Sequence, residues 1–198
     1  MISIKASFVA FALSLSAFAA PAFDTRQACA DVIVVYARGT TEPAPIGTTV
    51  GPALQASLLA VLGGKSLSFQ GVDYPADIPG FLEGGSPEGS TNMANMLTSA
   101  ASSCPDAALV TSGYSQGGQL VHNSANLLSS SVRARINAAV IFGDPDDGEP
   151  VTGISASNTD VICHIGDDIC AHGDLVLPPH LDYEMDTPGA AAFIAARV

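Results

Sequence analysis

An α/β fold, a small three-layer sandwich around a central, mostly parallel sheet, is what this sequence predicts, and three observations carry the prediction. Short apolar or β-branched runs alternate with helix-period segments through most of the chain, with no internal repeat and no low-complexity tract. The run Asp31 to Tyr36 (DVIVVY) is apolar on both sides of a strand, as in a parallel sheet covered by helices on both faces. Low charged content (13%) beside 47% hydrophobic residues describes a compact chain and excludes a disordered one.

Each element follows from its own signals. Asp31 to Tyr36 is the central strand, and it follows Cys29 directly. Val50 to Leu62 has apolar residues at helical spacing and stops at Gly63-Gly64, a good C-terminal signal. Leu67 to Val72 is the next strand. Residues 73–90, rich in Gly, Pro and acidic groups, are expected to form a surface loop. Thr91 to Ser102 has helical spacing with Ser90 as a candidate cap, and Ala107 to Ser112 is a strand. Gln116 to Leu128 is the helix that follows, Ala138 to Phe142 a buried strand and Val161 to Cys163 a short one. Pro188 to Arg197 closes the chain as an amphipathic helix with proline in its first turn. Connections between elements are short, so no cap domain can be built over a site, and an open, lidless cleft is expected.

The chain has 198 residues, and residues 1–20 read as a signal peptide. Lys5 gives a positive start, Phe8 to Ala20 is an unbroken run of apolar and small residues, and Ala17-Phe18-Ala19 suits a signal peptidase. Residues 21–30 form an N-terminal segment, of which Pro21 to Gln27 is either a ragged end or a short propeptide, and 31–198 a single domain. No later stretch is long and apolar enough for a membrane anchor, so the expectation is a secreted, extracellular protein. Its net charge of −12 would become more negative on loss of the leader, and such a surface repels nucleic acid.

Four cysteines remain: Cys29, Cys104, Cys163 and Cys170. An even count behind a leader favours two disulfides, and the short spacing makes Cys163 and Cys170 the natural local pair, leaving Cys29 for Cys104. In the loop-entropy picture the long closure contributes about 4 kcal/mol and the short one about 2 kcal/mol. Ligand spacings for zinc are absent, and the expectation is no metal.

Chemistry concentrates in Gly113-Tyr114-Ser115-Gln116-Gly117, a G-x-S-x-G with an apolar strand before it and a helix after it. That context is the nucleophile elbow of an α/β-hydrolase fold: a serine on a sharp strand-to-helix turn, with glycines where side chains would collide. It also sets Ser115 at a helix N-terminus, where developing negative charge is favoured. A serine hydroxyl needs a base to take its proton and a carboxylate to hold that base, in the chain order serine, acid, histidine. Of four histidines, His122 lies two turns along the elbow helix, where packing or a surface place is expected, and His164 precedes the candidate acids. His172 sits between Ala171 and Gly173 in a solvated stretch. His180 follows the stiff Pro178-Pro179 and an apolar Leu175-Val176-Leu177, which suits a base that meets an acyl group. Asp167 and Asp168 share the Cys163 to Cys170 loop and are not separated by local reasoning; Asp174 is a weaker third.

An oxyanion hole needs the backbone N–H of Gln116 and a second donor from the loop after the first strand. Ala37-Arg38-Gly39-Thr40-Thr41-Glu42 leaves that strand in the right place, with Thr40 the donor or the loop a plain strand-ending turn. Phe81, Leu82, Leu175, Val176 and Leu177 are candidates for an acyl-binding wall or for ordinary loop packing.

These motifs resemble, in order and spacing, those of the fungal cutinases, within the carbohydrate-esterase group that also holds acetylxylan esterases. The likeness rests on Ala37 to Glu42, on Cys104-Pro105-Asp106-Ala107 leading into the elbow, on Cys163…Gly166-Asp167…Cys170, and on Pro179-His180-Leu181. It implies a serine esterase acting through an acyl-enzyme, with Ser115, Asp167 and His180 as triad and Thr40 with Gln116 as oxyanion hole. It selects Asp167 because the family's acid follows glycine in the stapled loop, and it implies the Cys29–Cys104 and Cys163–Cys170 pairings. The implied substrates are cutin and short- to medium-chain esters, at a polyester surface, by a monomer without a cofactor. Two alternatives stand beside this: an esterase for small acyl groups such as acetylated xylan, and a secreted effector without turnover. Thr40 stands where familiar cutinases carry serine, although Arg38-Gly39 follows the cutinase side of the group.

Overall fold

The computed structural model describes residues 1–2 and 29–198. The leader expected at 1–20, beyond its first two residues, and positions 21–28 of the N-terminal segment lie outside the described residues. Among the described residues five strands form one sheet: β1 (Val32–Ala37), β2 (Leu67–Gly71), β3 (Ala108–Tyr114), β4 (Ile136–Phe142) and β5 (Thr159–Ile162), in the order β2-β1-β3-β4-β5. Every neighbouring pair is parallel. The helices are α1 (Val50–Val61), α2 (Ile78–Leu82), α3 (Pro87–Ser103), α4 (Gln116–Leu127), α5 (Ser130–Arg133) and α6 (Thr187–Ala195).

Strand period explains why the central run is apolar throughout. Val32, Val34 and Tyr36 face a core closed by α1 and α6, whereas Val35 and Ala37 face a second core closed by α3 and α4. On β4, Ala138, Val140 and Phe142 join the first core, and Ala139 and Ile141 the second. The result is three layers of helix, sheet and helix. Parallel strands also bring their C-terminal ends to one edge, so the segments after Ala37, Tyr114, Phe142 and Ile162 emerge together. Ligand sites of open α/β sheets form at that edge.

Three local departures from the sequence reading have physical causes. Residues 73–90 are not all loop: Asp77 caps α2 by accepting from the Gly80 N–H at 2.9 Å, with Pro79 in the first turn. α3 begins at Pro87, with Ser86 and not Ser90 as its cap, because Ser86 Oγ accepts from the Gly89 N–H at 3.1 Å. Ser90 lies inside the first turn, where its hydroxyl donates to the Ser86 carbonyl. Finally, β5 is Thr159–Ile162, so Cys163 falls past the strand end, in the stapled loop. Both disulfides form with the expected pairing, Cys29–Cys104 and Cys163–Cys170. No helix among the described residues is long and apolar enough to cross a membrane.

Candidate active site

The elbow geometry follows from its glycines. Ser115 sits at φ 57°, in the left-handed region, between β3 and α4. A Cβ on Gly113 would lie 2.1 Å from the Gly117 carbonyl oxygen, and one on Gly117 would lie 2.0 Å from the Ala37 carbonyl oxygen. No other residue fits at either place, so the turn closes tightly enough to set Ser115 at the head of α4.

His180 ends a short 3₁₀ turn, Pro178–His180, and is 2% exposed. Its Nδ1–H donates to Asp167 Oδ2 at 2.8 Å, and its Nε2 has no hydrogen-bond partner among the described residues. Burial pushes the Asp167 carboxyl upward, but hydrogen bonds from Tyr183 and then from His180 outweigh it, and the group lies below the ordinary carboxylate value. An ionised carboxylate only accepts, so the imidazole proton belongs on Nδ1 and Nε2 keeps its lone pair. That is the tautomer a base requires. Ser115 and His180 line the same cleft, a cavity of about 500 Å³ at the C-terminal edge of the sheet.

Asp168, Asp167's neighbour, does something else: its Oδ2 accepts from the Leu175 N–H at 2.9 Å, tying the stapled loop to the segment that follows it. His172 bonds the Pro145 carbonyl at 2.9 Å, outside the triad candidates' network. Thr40 lines the cleft beside Ser115, and Gln116 Nε2–H donates to its Oγ1 at 3.0 Å. Because that oxygen already accepts, the Thr40 hydroxyl proton is free to point elsewhere. The same Gln116 amide donates to the Asp77 carbonyl at 2.8 Å, tying the first-strand loop to the start of α2.

Of the apolar candidates, Phe81, Leu82 and Val176 line the cleft; Leu175 and Leu177 do not. Successive side chains of an extended segment diverge, so only the middle residue of Leu175-Val176-Leu177 reaches the cavity. Sequence reasoning missed Ile78, Ile169 and Leu181, which complete the aliphatic part of the lining. It also missed the braces. Buried Arg38 donates to the carbonyls of Glu42 (2.7 Å) and Tyr74 (2.6 Å), and the Glu42 carboxylate accepts from the N–H groups of Gly39, Thr48 and Thr49. Tyr114, the second residue of the elbow motif, donates to the His180 carbonyl at 2.7 Å and stacks on its ring. A charged pair inside a strand-ending loop is a sequence signal for such bracing; the tyrosine offered none beyond its place in the motif.

Of the two places expected for His122, packing or surface, it takes the first: it is buried, and its Nε2 bonds Asp144 Oδ2 at 2.9 Å. With Asp146, the two bring potential ligand atoms within 4.8 Å of one another. The direct bond already satisfies the histidine and one carboxylate oxygen, while the other accepts from the Asp146 N–H. Burial disfavours the His122 cation, but the hydrogen bond and charge of Asp144, with Asp146 and Glu149, hold its pKa above the ordinary value. A raised folded value means stability that is complete below the unfolded value of about 6.5 and is lost as pH rises through the folded one. His164 carries the same sign. Melting temperature is therefore expected to fall from about pH 6 to about pH 9, and to fall less steeply in Asp144→Asn. Equal slopes in thermal scans of the two proteins would remove this pair from the account.

The sequence profile of the family described as Cutinase matches residues 28–198. The chain belongs to the cutinase family. It is similar to a cutinase of Botryotinia fuckeliana, 59% identical over 186 residues that cover 93% of this chain and 92% of that protein. It is also similar to the solved structure of a Trichoderma reesei cutinase in complex with a C11Y4 phosphonate inhibitor. The TM-score there is 0.82 at 46% identity, over 85% of this chain and 76% of that one. An acetylxylan esterase structure shares the fold, with a TM-score of 0.70 at 24% identity, over 86% of this chain and 99% of that one. Membership in the cutinase family makes the chain a cutinase-type carboxylic ester hydrolase. The larger groove elsewhere, about 940 Å³ beside the Cys29–Cys104 disulfide, is lined among the described residues by no titratable side chain, whereas the smaller cleft holds Ser115 and His180.

Proposed function

We propose that this cutinase-family chain is a secreted enzyme that cleaves cutin and short- to medium-chain esters through an acyl-enzyme on Ser115. One observation carries the reading: Ser115, on its strained turn, shares a cleft with an imidazole whose Nδ1 is held by Asp167 and whose Nε2 is open. In the first half, Ser115 Oγ attacks the ester carbonyl and its proton passes to His180 Nε2. The C–O bond to the alcohol breaks, and the alcohol leaves with that proton. In the second half, water attacks the acyl-enzyme, gives a proton to His180, and the acid departs as Ser115 recovers its hydrogen. The oxyanion of each step is received by the N–H of Gln116 and by Thr40.

Support for a polymer substrate comes from the rim. Ile78, Leu82, Val176 and Leu181 are each more than half exposed around the mouth of the cleft, a patch suited to lying on a polyester. Two disulfides suit an oxidising, extracellular setting. A series of p-nitrophenyl esters from acetate to decanoate, run beside cutin and acetylated xylan, tests the substrate. Expected are kcat/KM values higher for butyrate than for acetate, with release of cutin monomers. Preference for acetate together with deacetylation of xylan would replace this reading with that of a small-acyl esterase.

A further inference from the structure

Tyr183 is buried beneath the candidate triad, at the start of the 3₁₀ turn Tyr183–Asp186, three residues after His180. Its hydroxyl donates to Asp167 Oδ2 at 2.6 Å, the same oxygen that accepts from His180 at 2.8 Å, and it accepts from the His164 N–H at 2.9 Å. The second carboxylate oxygen accepts from the Ile169 N–H at 3.0 Å. The Tyr183 ring stands edge-on to the His180 ring, with centroids 5.9 Å apart, and stacks on His164 at 4.1 Å. His164 in turn bonds the Pro179 carbonyl, Asp182 and Asp186, so the base's loop and the tyrosine's turn are locked together.

We infer that Tyr183 is a positioning residue of this esterase, fixing the Asp167 carboxylate and sharing its charge so that His180 sees a partly neutralised partner. The inference rests on the triad reading above. Two donors on one oxygen fix where that oxygen sits, which aims the imidazole at the cleft. They also divide the carboxylate's charge, and a carboxylate with less free charge favours the imidazolium less. A variant that lacks one of the two donors is therefore expected to lose activity at a higher pH than the wild type. Burial, followed by the adjoining carboxylate, pushes the Tyr183 hydroxyl well above the ordinary phenol value, so it remains a donor throughout any working range. Among the described residues, the titratable groups around His180 are Asp167 from the stapled loop, Tyr183 from its turn, Tyr114 from β3 and Ser115 from the elbow, with the carboxylates of Glu42 and Asp174 lining the same cleft. His164, Asp182 and Asp186 lie behind Tyr183.

Tyr183→Phe keeps the ring and its packing and removes only the hydroxyl. Expected for p-nitrophenyl butyrate is a fall in kcat of about tenfold, with KM within about twofold, since the lost bond orients the base and does not touch substrate. The acidic limb of the kcat/KM profile should move up by about half a pH unit. Replacing Tyr183 with 3,5-difluorotyrosine, a stronger donor of the same shape, should move the limb down. A merely structural tyrosine would not shift the limb in opposite directions. Thermal melts accompany each assay, and if the phenylalanine variant unfolds below the assay temperature, the difluorotyrosine protein alone decides. A limb that stays at the wild-type pH in every folded variant overturns the inference. Fluorophosphonate labelling separates the two levels. A wild-type protein that is not labelled at Ser115 sinks the triad reading itself, whereas a labelled wild type with an unmoved limb sinks only the role of Tyr183.

Discussion

Ser115→Ala is expected to lower hydrolysis of p-nitrophenyl butyrate by at least about 10⁴-fold while leaving the circular dichroism spectrum unchanged. The chemical part of this expectation is that no neighbouring group replaces the lost oxygen. The hydroxyl of Thr40 also lines the cleft, but it receives the Gln116 amide and lies off the elbow, without the helix N-terminus behind it. The structural part is that the fold does not depend on the Ser115 hydroxyl. It makes no capping bond to α4, and alanine meets the same backbone strain at φ 57° as serine does. Melting should therefore shift by no more than a few degrees, as for a ΔΔG of about 1 kcal/mol or less. A fluorophosphonate probe should label the wild type and leave the variant untouched. Activity near the wild-type level would show that another residue carries the acyl group, and the triad assignment would fall with it.

How much of this was legible beforehand differs between backbone and side chain. The strand Val32–Ala37 was readable because a parallel strand buried on both faces must be apolar at every position, and few other elements are. The elbow was readable because its two glycines are forced by backbone atoms about 2 Å from where a Cβ would lie, a constraint that leaves a fixed spacing in sequence. α2 was not, because its five residues are held by one cap from Asp77, and proline, glycine and acidic residues serve a short capped turn as well as a loop. Asp167 and Asp168 looked alike in sequence, since which carboxylate meets His180 depends on how a disulfide-closed loop folds back; local residues do not encode that. The roles of Tyr183 and Arg38 were not readable for a related reason, although Arg38 with Glu42 marks its loop as a charged pair. Their partners, Asp167 and the carbonyl of Tyr74, stand 16 and 36 positions away, so only the assembled fold shows why they are needed.

Asp167→Asn and Asp168→Asn, compared side by side, should then differ by orders of magnitude although the residues are adjacent. Asparagine at 167 keeps the size of the side chain but replaces a carboxylate that takes three hydrogen bonds, from His180, Tyr183 and Ile169, with a neutral amide. No negative charge then favours the imidazolium that forms as Ser115 loses its proton. An amide NH₂ turned toward His180 also imposes the tautomer with hydrogen on Nε2, which has no lone pair for the serine. A fall in kcat of about 10³- to 10⁴-fold is expected, with the protein folded and the disulfides intact. At 168 the side chain only accepts from the Leu175 N–H, and an asparagine oxygen accepts there as well, so kcat should stay within about threefold of wild type. Reversal of the two effects would move the acid one residue along the stapled loop. Equal, small effects would mean that the imidazole is oriented by its tyrosine neighbours, Tyr114 and Tyr183, without help from a carboxylate.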